Sequence, residues 1–385
     1  MPRPGIRSTM PSDRKRKARA ATTLVFFMTG FVYAAWATRI PAIKADLDLS
    51  AGALGVAILG LEAGAIAGLP AGGALAARAG SRTALRIGYA LYPAALVGVA
   101  LAPSLPALAA SLAAMAAASS VVDVAMNAQG MELERRYRRP VLSGLHAGHP
   151  FGLVAGGLAG SAAAVAGVAV SAHLAVVAAV GLAGGVGATF WLIEESAEPR
   201  GRAFSRPSGR LRGLGLIAFC AFLLDGAAYN WSAVHLSSEH GAGAGLAAGA
   251  FTLFALALAV GRMFGDRMVA RLGRVRVVQA CGAVAAAASG LALAAPAAEV
   301  SLAGWTLFGL GLAALAPTVL GAAPAAGHGS PAAAIAAVTT VGYLGSFSGP
   351  PLVGALADAG SLTAALGLLV VVSGAMVVLA PRLPG

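Results

Sequence analysis

Long apolar runs alternate with short polar or basic joints along almost the whole chain. A helix that crosses a bilayer needs roughly 20 apolar residues. Twelve runs approach or exceed that length, at about residues 20–39, 51–75, 84–102, 106–128, 141–167, 170–193, 213–236, 245–265, 275–295, 299–320, 331–356 and 362–381. They are continuous and lack the period-two alternation of barrel strands, so the pattern predicts twelve spanning helices and an all-α membrane protein. Glycine and alanine recur inside the runs. Lipid provides no hydrophobic drive for helix association, and small residues let backbones approach closely.

The runs fall into two sets of six that echo one another. The joint after the second run reads Gly72 to Arg86 and the joint after the eighth reads Gly261 to Arg274, with Gly80 and Gly273 separated by 193 residues. Gly30 and Tyr33 recur as Gly226 and Tyr229 at an offset of 196, and Gly144 and Gly156 recur as Gly342 and Gly354 at 198. A fixed offset of half the chain points to one unit used twice. The expected organisation is a disordered basic tail at 1–19, a six-helix bundle at 20–193, a linker at 194–212 and a second six-helix bundle at 213–385. The tail and first run together resemble a signal peptide, with Ala35-Trp36-Ala37 as a cleavage site. Cleavage there would remove one member of the Gly30/Gly226 pair, so an uncleaved first span is expected.

Composition strengthens the membrane reading. Apolar residues make up 58% of the chain and charged residues 11%, with a mean hydropathy of +0.81, whereas a soluble domain carries about 25% charged residues. The net charge of +12 suggests nucleic acid at first, but its distribution points elsewhere. Clusters at residues 3–19, 78–86, 135–139, 200–212 and 262–276, with Arg382, hold 25 of the 27 basic residues, and the opposite joints hold only Arg39 and Lys44. Twelve alternating spans put all the clusters on one side. The positive-inside rule then predicts a multi-pass protein of the inner or plasma membrane with both termini cytoplasmic. Cys220 and Cys281 lie within apolar runs and read as small buried hydrophobes.

Twelve spans in two related halves, with a Gly–Arg joint after spans two and eight, resemble the major facilitator superfamily. Its joint pattern, Gly-x-Leu-Ala-Asp-Arg-x-Gly-Arg-Arg, is matched by Gly73, Leu75, Ala76, Arg78, Gly80 and Arg82, with Ala77 in place of the Asp. The second joint offers Gly265, Asp266, Arg267, Arg271 and Gly273. The stretches Arg39 to Lys44, Asp123 to Asn127 and Asp225 to Ser232 are similar to an uncharacterised bacterial inner-membrane branch related to the fucose permeases, which more often carries Glu and Asp at positions 225 and 230. The resemblance implies two six-helix bundles that rock about a central site, with the joints gating one side. The missing Asp implies a weak first gate.

Candidate chemistry follows from the polar groups inside the runs, since an ionisable group within a bilayer is costly and usually marks a pathway. Asp225 is expected to face the cavity and exchange a proton or hold a polar group of the solute. Glu62 reads equally as a proton carrier or as a neutral group tied to a neighbour. Asp123 and Asn127 share a helix face, and Asp123 reads about equally as a binder of a proton or a polar solute group and as a gate or interhelical tie near the cytoplasmic end. His146 and His149 lack a third ligand, so no metal site is expected and solute contact or an interfacial role is preferred. Tyr33, Trp36, Tyr229 and Trp231 either stack a solute or belong to an interfacial belt, and Asn230 lies beside them. No P-loop, nucleophile–base pair or filter loop occurs, which excludes ATP-driven transport, an intramembrane enzyme and a channel. The expected function is proton-coupled secondary transport of a small solute by a monomer in the lipid bilayer, without a cofactor and without nucleic acid. Drug–proton antiport is the second reading: Gly349-Pro350-Pro351 resembles the antiporter Gly-Pro motif, but it lies in span eleven, and span five has Gly148-His149-Pro150.

Overall fold

The computed structural model describes residues 11–137, 141–194, 209–326 and 331–383. The first ten residues of the expected tail and residues 195–208 of the expected linker lie outside them. The first half comprises α1 (Ser12–Asp46), α2 (Ala51–Ala79), α3 (Ser81–Ala100), α4 (Leu105–Tyr137), α5 (Leu142–His146), α6 (Gly148–Val165) and α7 (Val170–Ala188). The second comprises α8 (Gly209–His240), α9 (Ala244–Leu272), α10 (Arg274–Ala294), α11 (Ala298–Leu312), α12 (Leu315–Ala326), α13 (Pro331–Ala359) and α14 (Leu362–Leu379). Among the described residues no strand occurs. Ten segments of the described residues are individually long and apolar enough to cross a membrane.

Fourteen helices make twelve spans because spans five and ten are each broken. The breaks fall at Ala147 and at Ala313–Ala314. Pro150 and Pro317 follow, and a proline ring clashes with the carbonyl four residues earlier, at His146 and Ala313 here. Proline alone does not decide the break, since Pro41, Pro70, Pro93, Pro350 and Pro351 lie inside continuous helices; the helix resumes at Gly148 and at Leu315.

The two Gly–Arg joints adopt one shape. Gly80 caps α2 with φ 80° and ψ 154°, and Gly273 caps α9 with φ 79° and ψ 158°. Each donates its N–H back into its own helix, to Ala76 O at 3.0 Å and to Val269 O at 2.9 Å. A positive φ is strained for any residue with a Cβ, so glycine is required at both.

α1 begins at Ser12, inside the stretch expected to be a disordered tail. The run of Lys and Arg favours helix, and its cations find rings on neighbouring helices: Lys17 lies over Trp191 at 4.8 Å and Arg19 over Tyr137 at 6.0 Å. α8 likewise starts at Gly209, within the expected linker.

Each half is held by small residues. In the first, α1 packs on α6, α2 on α4 and α3 on α7; in the second, α8 packs on α13, α9 on α11 and α10 on α14. The halves meet through α2 with α13, α6 with α9, and α1 with both α8 and α9. These meetings lie away from the basic end. Gly354 approaches Ala51 and Gly55 so closely that a Cβ would stand 2.8 Å from the Ala51 carbonyl oxygen. Gly157 lies against Thr252, whose hydroxyl is 3.1 Å from Ser161.

Candidate functional site

A cavity of about 210 Å³ lies where the two halves meet. α1, α2, α3 and α4 contribute Tyr33, Glu62, Tyr92, Ser119 and Ser120 to its wall; α8 and α13 contribute Tyr229, Asn230 and Ser346. Leu61, Ala65, Met115, Ala116 and Gly226 complete the lining. Glu62 is half-buried, and it is the one formally charged side chain among the lining residues.

The repeat places the tyrosines. Tyr33 and Tyr229 hold equivalent positions on α1 and α8, and their rings meet edge to face across the halves at 6.2 Å. Phe254 supports Tyr229 from behind at 5.1 Å. Next to Tyr229 on α8, Asn230 donates from Nδ2 to Gly226 O, one turn earlier, at 2.8 Å, and its Oδ1 is buried without a partner. Trp36 and Trp231 are fully buried instead. Trp231 lies outside the cavity lining and donates from Nε1 to Pro350 O at 3.2 Å, which ties α8 to α13.

Asp225 is largely buried, with 17% of its side chain exposed, and Oδ2 lies 3.8 Å from Arg262 Nη2 on α9. Its Oδ1 is buried without a hydrogen-bond partner. The pair is therefore loose, held by one long contact. His149 on α6 lies within electrostatic reach of Arg262, and its Nδ1 is also buried and unpartnered. Asp225 and Arg262 belong to the second half and His149, on α6, to the first. Arg262 reads along the chain as part of the second joint; packing of α8 on α9 makes it the counter-ion of Asp225. Tyr92, Ser119, Ser120 and Ser346 carried no signal either, since an isolated hydroxyl in an Ala-rich helix resembles any helix-capping or packing residue.

Asp123, Asn127 and His146 form a separate chain nearer the basic end. Asn127 donates from Nδ2 to Asp123 Oδ1 at 3.2 Å and to Asp123 O at 2.9 Å; His146 Nε2 lies 3.0 Å from Asn127 Oδ1. The ring of His146 also rests on Phe26 at 4.6 Å. Among the described residues no group of three metal-ligating side chains occurs.

The joints are placed outside the cavity. Arg82 donates to Thr189 O at 2.8 Å and pairs with Glu194 at 3.0 Å, and Arg86 donates to Thr189 Oγ1 at 3.0 Å. The first joint is therefore tied within its own half, to the end of α7. Arg78, Asp266, Arg267 and Arg271 are exposed. Gly73 has open space around it, while Gly265 packs near Ala314.

The opposite end carries a latch between the halves. Asp358 at the end of α13 accepts from Ser50 Oγ at 2.9 Å and from the Gly52 N–H at 2.8 Å, at the start of α2. Buried anchors lie nearby in depth. Arg39 donates to His173 Nδ1 at 3.2 Å and to Val168 O at 3.1 Å, and His235, 196 residues later, accepts from Trp305 Nε1 at 3.3 Å.

Comparison with known proteins agrees with this architecture. The family profile described as Major Facilitator Superfamily matches residues 22–212 and 214–384. An uncharacterized MFS-type transporter of Yersinia pestis is 31% identical over 352 residues, covering 91% of each chain. Among solved structures, a variant of the nucleoside transporter NupG aligns with a TM-score of 0.77 at 13% identity, over 94% of this chain and 98% of its own. A D-xylose-proton symporter aligns with a TM-score of 0.76 at 14% identity, over 95% and 96%.

Proposed function

The chain belongs to the major facilitator superfamily, and from that premise we propose that it is a proton-coupled secondary carrier of a small polar solute, with the cavity at Glu62 and the paired tyrosines as its solute site. The observation that carries this reading is the cavity's construction. Both halves supply its wall, and the halves touch on one side of it, through α2 with α13 and α6 with α9. A solute held there contacts both bodies, so its binding is coupled to their relative motion. The moving bodies are residues 20–193 and 213–385, joined by 194–212. One chain supplies the whole site, which supports a monomer.

Protons are the proposed coupling ion because Asp225 holds its counter-ion by a single long contact of 3.8 Å. Protonation of Asp225 frees Arg262, and loss of the proton draws Arg262 back. This exchange lies beside the cavity wall at Gly226 and Tyr229. The volume of about 210 Å³ is below the roughly 300–1,000 Å³ of drug-sized pockets, which favours a small solute over drug efflux.

Orientation follows from charge. With the basic end cytoplasmic, the halves meet on the outer side and the cavity belongs to a state that opens inward. A cysteine at position 205, within the linker, is then expected to react with membrane-impermeant maleimide only after the cells are permeabilised. Labelling of intact cells would reverse the orientation. The carrier reading is tested in proteoliposomes carrying an internal pH dye. Addition of the right solute is expected to produce proton movement in the same direction as the solute. Solute exchange without proton movement would remove the coupling ion and leave the carrier.

A further inference from the structure

We infer that the solute is a small organic cation, an amine, whose positive charge is held by Glu62. The inference rests on the proposal that the cavity is the solute site and adds the chemistry of its occupant. Glu62 is the only formally charged group lining the cavity, and no ion pair reaches it among the described residues. The other charges close to this region, Asp225 and Arg262, face each other and cancel. The cavity therefore presents one uncompensated carboxylate. Such a group repels an anionic solute and rewards a cation that enters with its own hydrogen-bond donors.

The rest of the wall suits the same class. Tyr33, Tyr92 and Tyr229 line it, and a tyrosine face attracts an ammonium group within about 6 Å of the ring. Tyr33 belongs to one half and Tyr229 to the other, and their rings touch edge to face, so a cation resting against this ring pair contacts both moving bodies at once. Ser119, Ser120 and Asn230 offer polar contacts to whatever the amine carries. The buried, unpartnered Oδ1 of Asn230 is an acceptor beside the cavity, suited to an N–H or O–H donor. A carboxylate, an amide oxygen and hydroxyls make a set rich in acceptors and without a fixed cation.

The test uses the purified full chain and matched triplets of solutes with one skeleton: ethanolamine, ethylene glycol and glycolate; glucosamine, glucose and glucuronate; putrescine, butanediol and succinate. Binding is read by thermal stabilisation and by calorimetry. The amine member of at least one triplet is expected to bind, its acid member not to bind, and Glu62→Gln to weaken the amine by at least about tenfold. Glu62→Asp keeps the charge and is expected to retain part of the affinity; it also serves if the Gln variant fails to fold. The inference is overturned if a neutral or acidic member binds best, if no amine binds, or if Glu62→Gln binds the amine as the parent does. Counterflow of the bound solute in proteoliposomes tests the underlying reading separately. An amine that binds without exchange leaves the cation site standing and removes the carrier, whereas exchange of a neutral or acidic solute does the reverse.

Discussion

Asp225→Asn is expected to leave the protein folded in the membrane, to abolish proton-coupled uptake and to spare solute exchange. Asn has the shape of Asp, so the packing of α8 is kept. The partner left behind, Arg262, has 37% of its side chain exposed and is not sealed in the interior, which limits the cost to folding. The cycle loses the group whose charge changes. Moving an uncompensated charge through the middle of a membrane protein costs at least about 2.5 kcal/mol, and at 1.4 kcal/mol per decade this is roughly sixtyfold in coupled rate. Exchange needs no net proton transfer and is expected to continue. The sign is specific: the parent takes up solute faster as the outside becomes more acidic, and the variant shows no such slope. Uptake and counterflow measured in the same proteoliposomes separate the two activities. If Asp225→Asn keeps the parental pH dependence, Asp225 is a structural tie to Arg262 and the proton site lies at Glu62 or Asp123.

Much of the fold is legible along the chain because its signals are local or repeat. Run length marks the spans, the joint glycines mark equivalent helix ends, and the structure gives Gly80 and Gly273 nearly identical backbone angles. The Tyr33/Tyr229 echo becomes a ring pair across the central axis. The breaks in spans five and ten lie three to four residues before a proline, but unbroken helices also contain prolines, and the apolar run continues through each break and hides it. Arg39 and His235 lie at the same offset as the tyrosines, but their different side chains hide the correspondence.

The site was legible only in part, because its partners come together through packing and not through spacing. Arg262 lies 37 positions from Asp225, in a stretch whose glycine and arginine content marks it as a joint. The serines of the cavity gain meaning only when α4 and α13 face each other. Trp231 shows the converse. Its sequence neighbours, Tyr229 and Asn230, line the cavity, but a helix turns by about 100° per residue, and that turn carries Trp231 into the contact with α13.

The second large effect is expected at the outer end, where Asp358→Asn should open the closed side. The first turn of a helix leaves N–H groups without intrahelical partners and carries the positive end of the helix dipole. Ser50 caps α2 by accepting from the Ala53 N–H at 3.0 Å. Asp358, from the other half, covers the same turn with both carboxylate oxygens. A carboxylate at a helix N-terminus contributes roughly 0.3–2 kcal/mol, and it does so only while α2 and α13 touch. Alternating access requires this contact to part, so its strength sets the balance between the two states. Removing the charge is expected to shift that balance toward the open side by about 1–2 kcal/mol, a factor of roughly 5–30. Spin labels at Ala45→Cys and Ala359→Cys, on the two sides of the latch, report the change as growth of the longer distance population. Gly354→Val is the companion variant, since its side chain drives into the Ala51 and Gly55 backbone and separates the helices by bulk alone. Longer distances in Gly354→Val with an unchanged distribution in Asp358→Asn would show that close packing, and not the carboxylate, holds this end shut. With the acidic residue absent from the first joint at Ala77 and Arg82 tied to its own half, the Asp358 latch is expected to weigh more heavily on the resting state than the joint does.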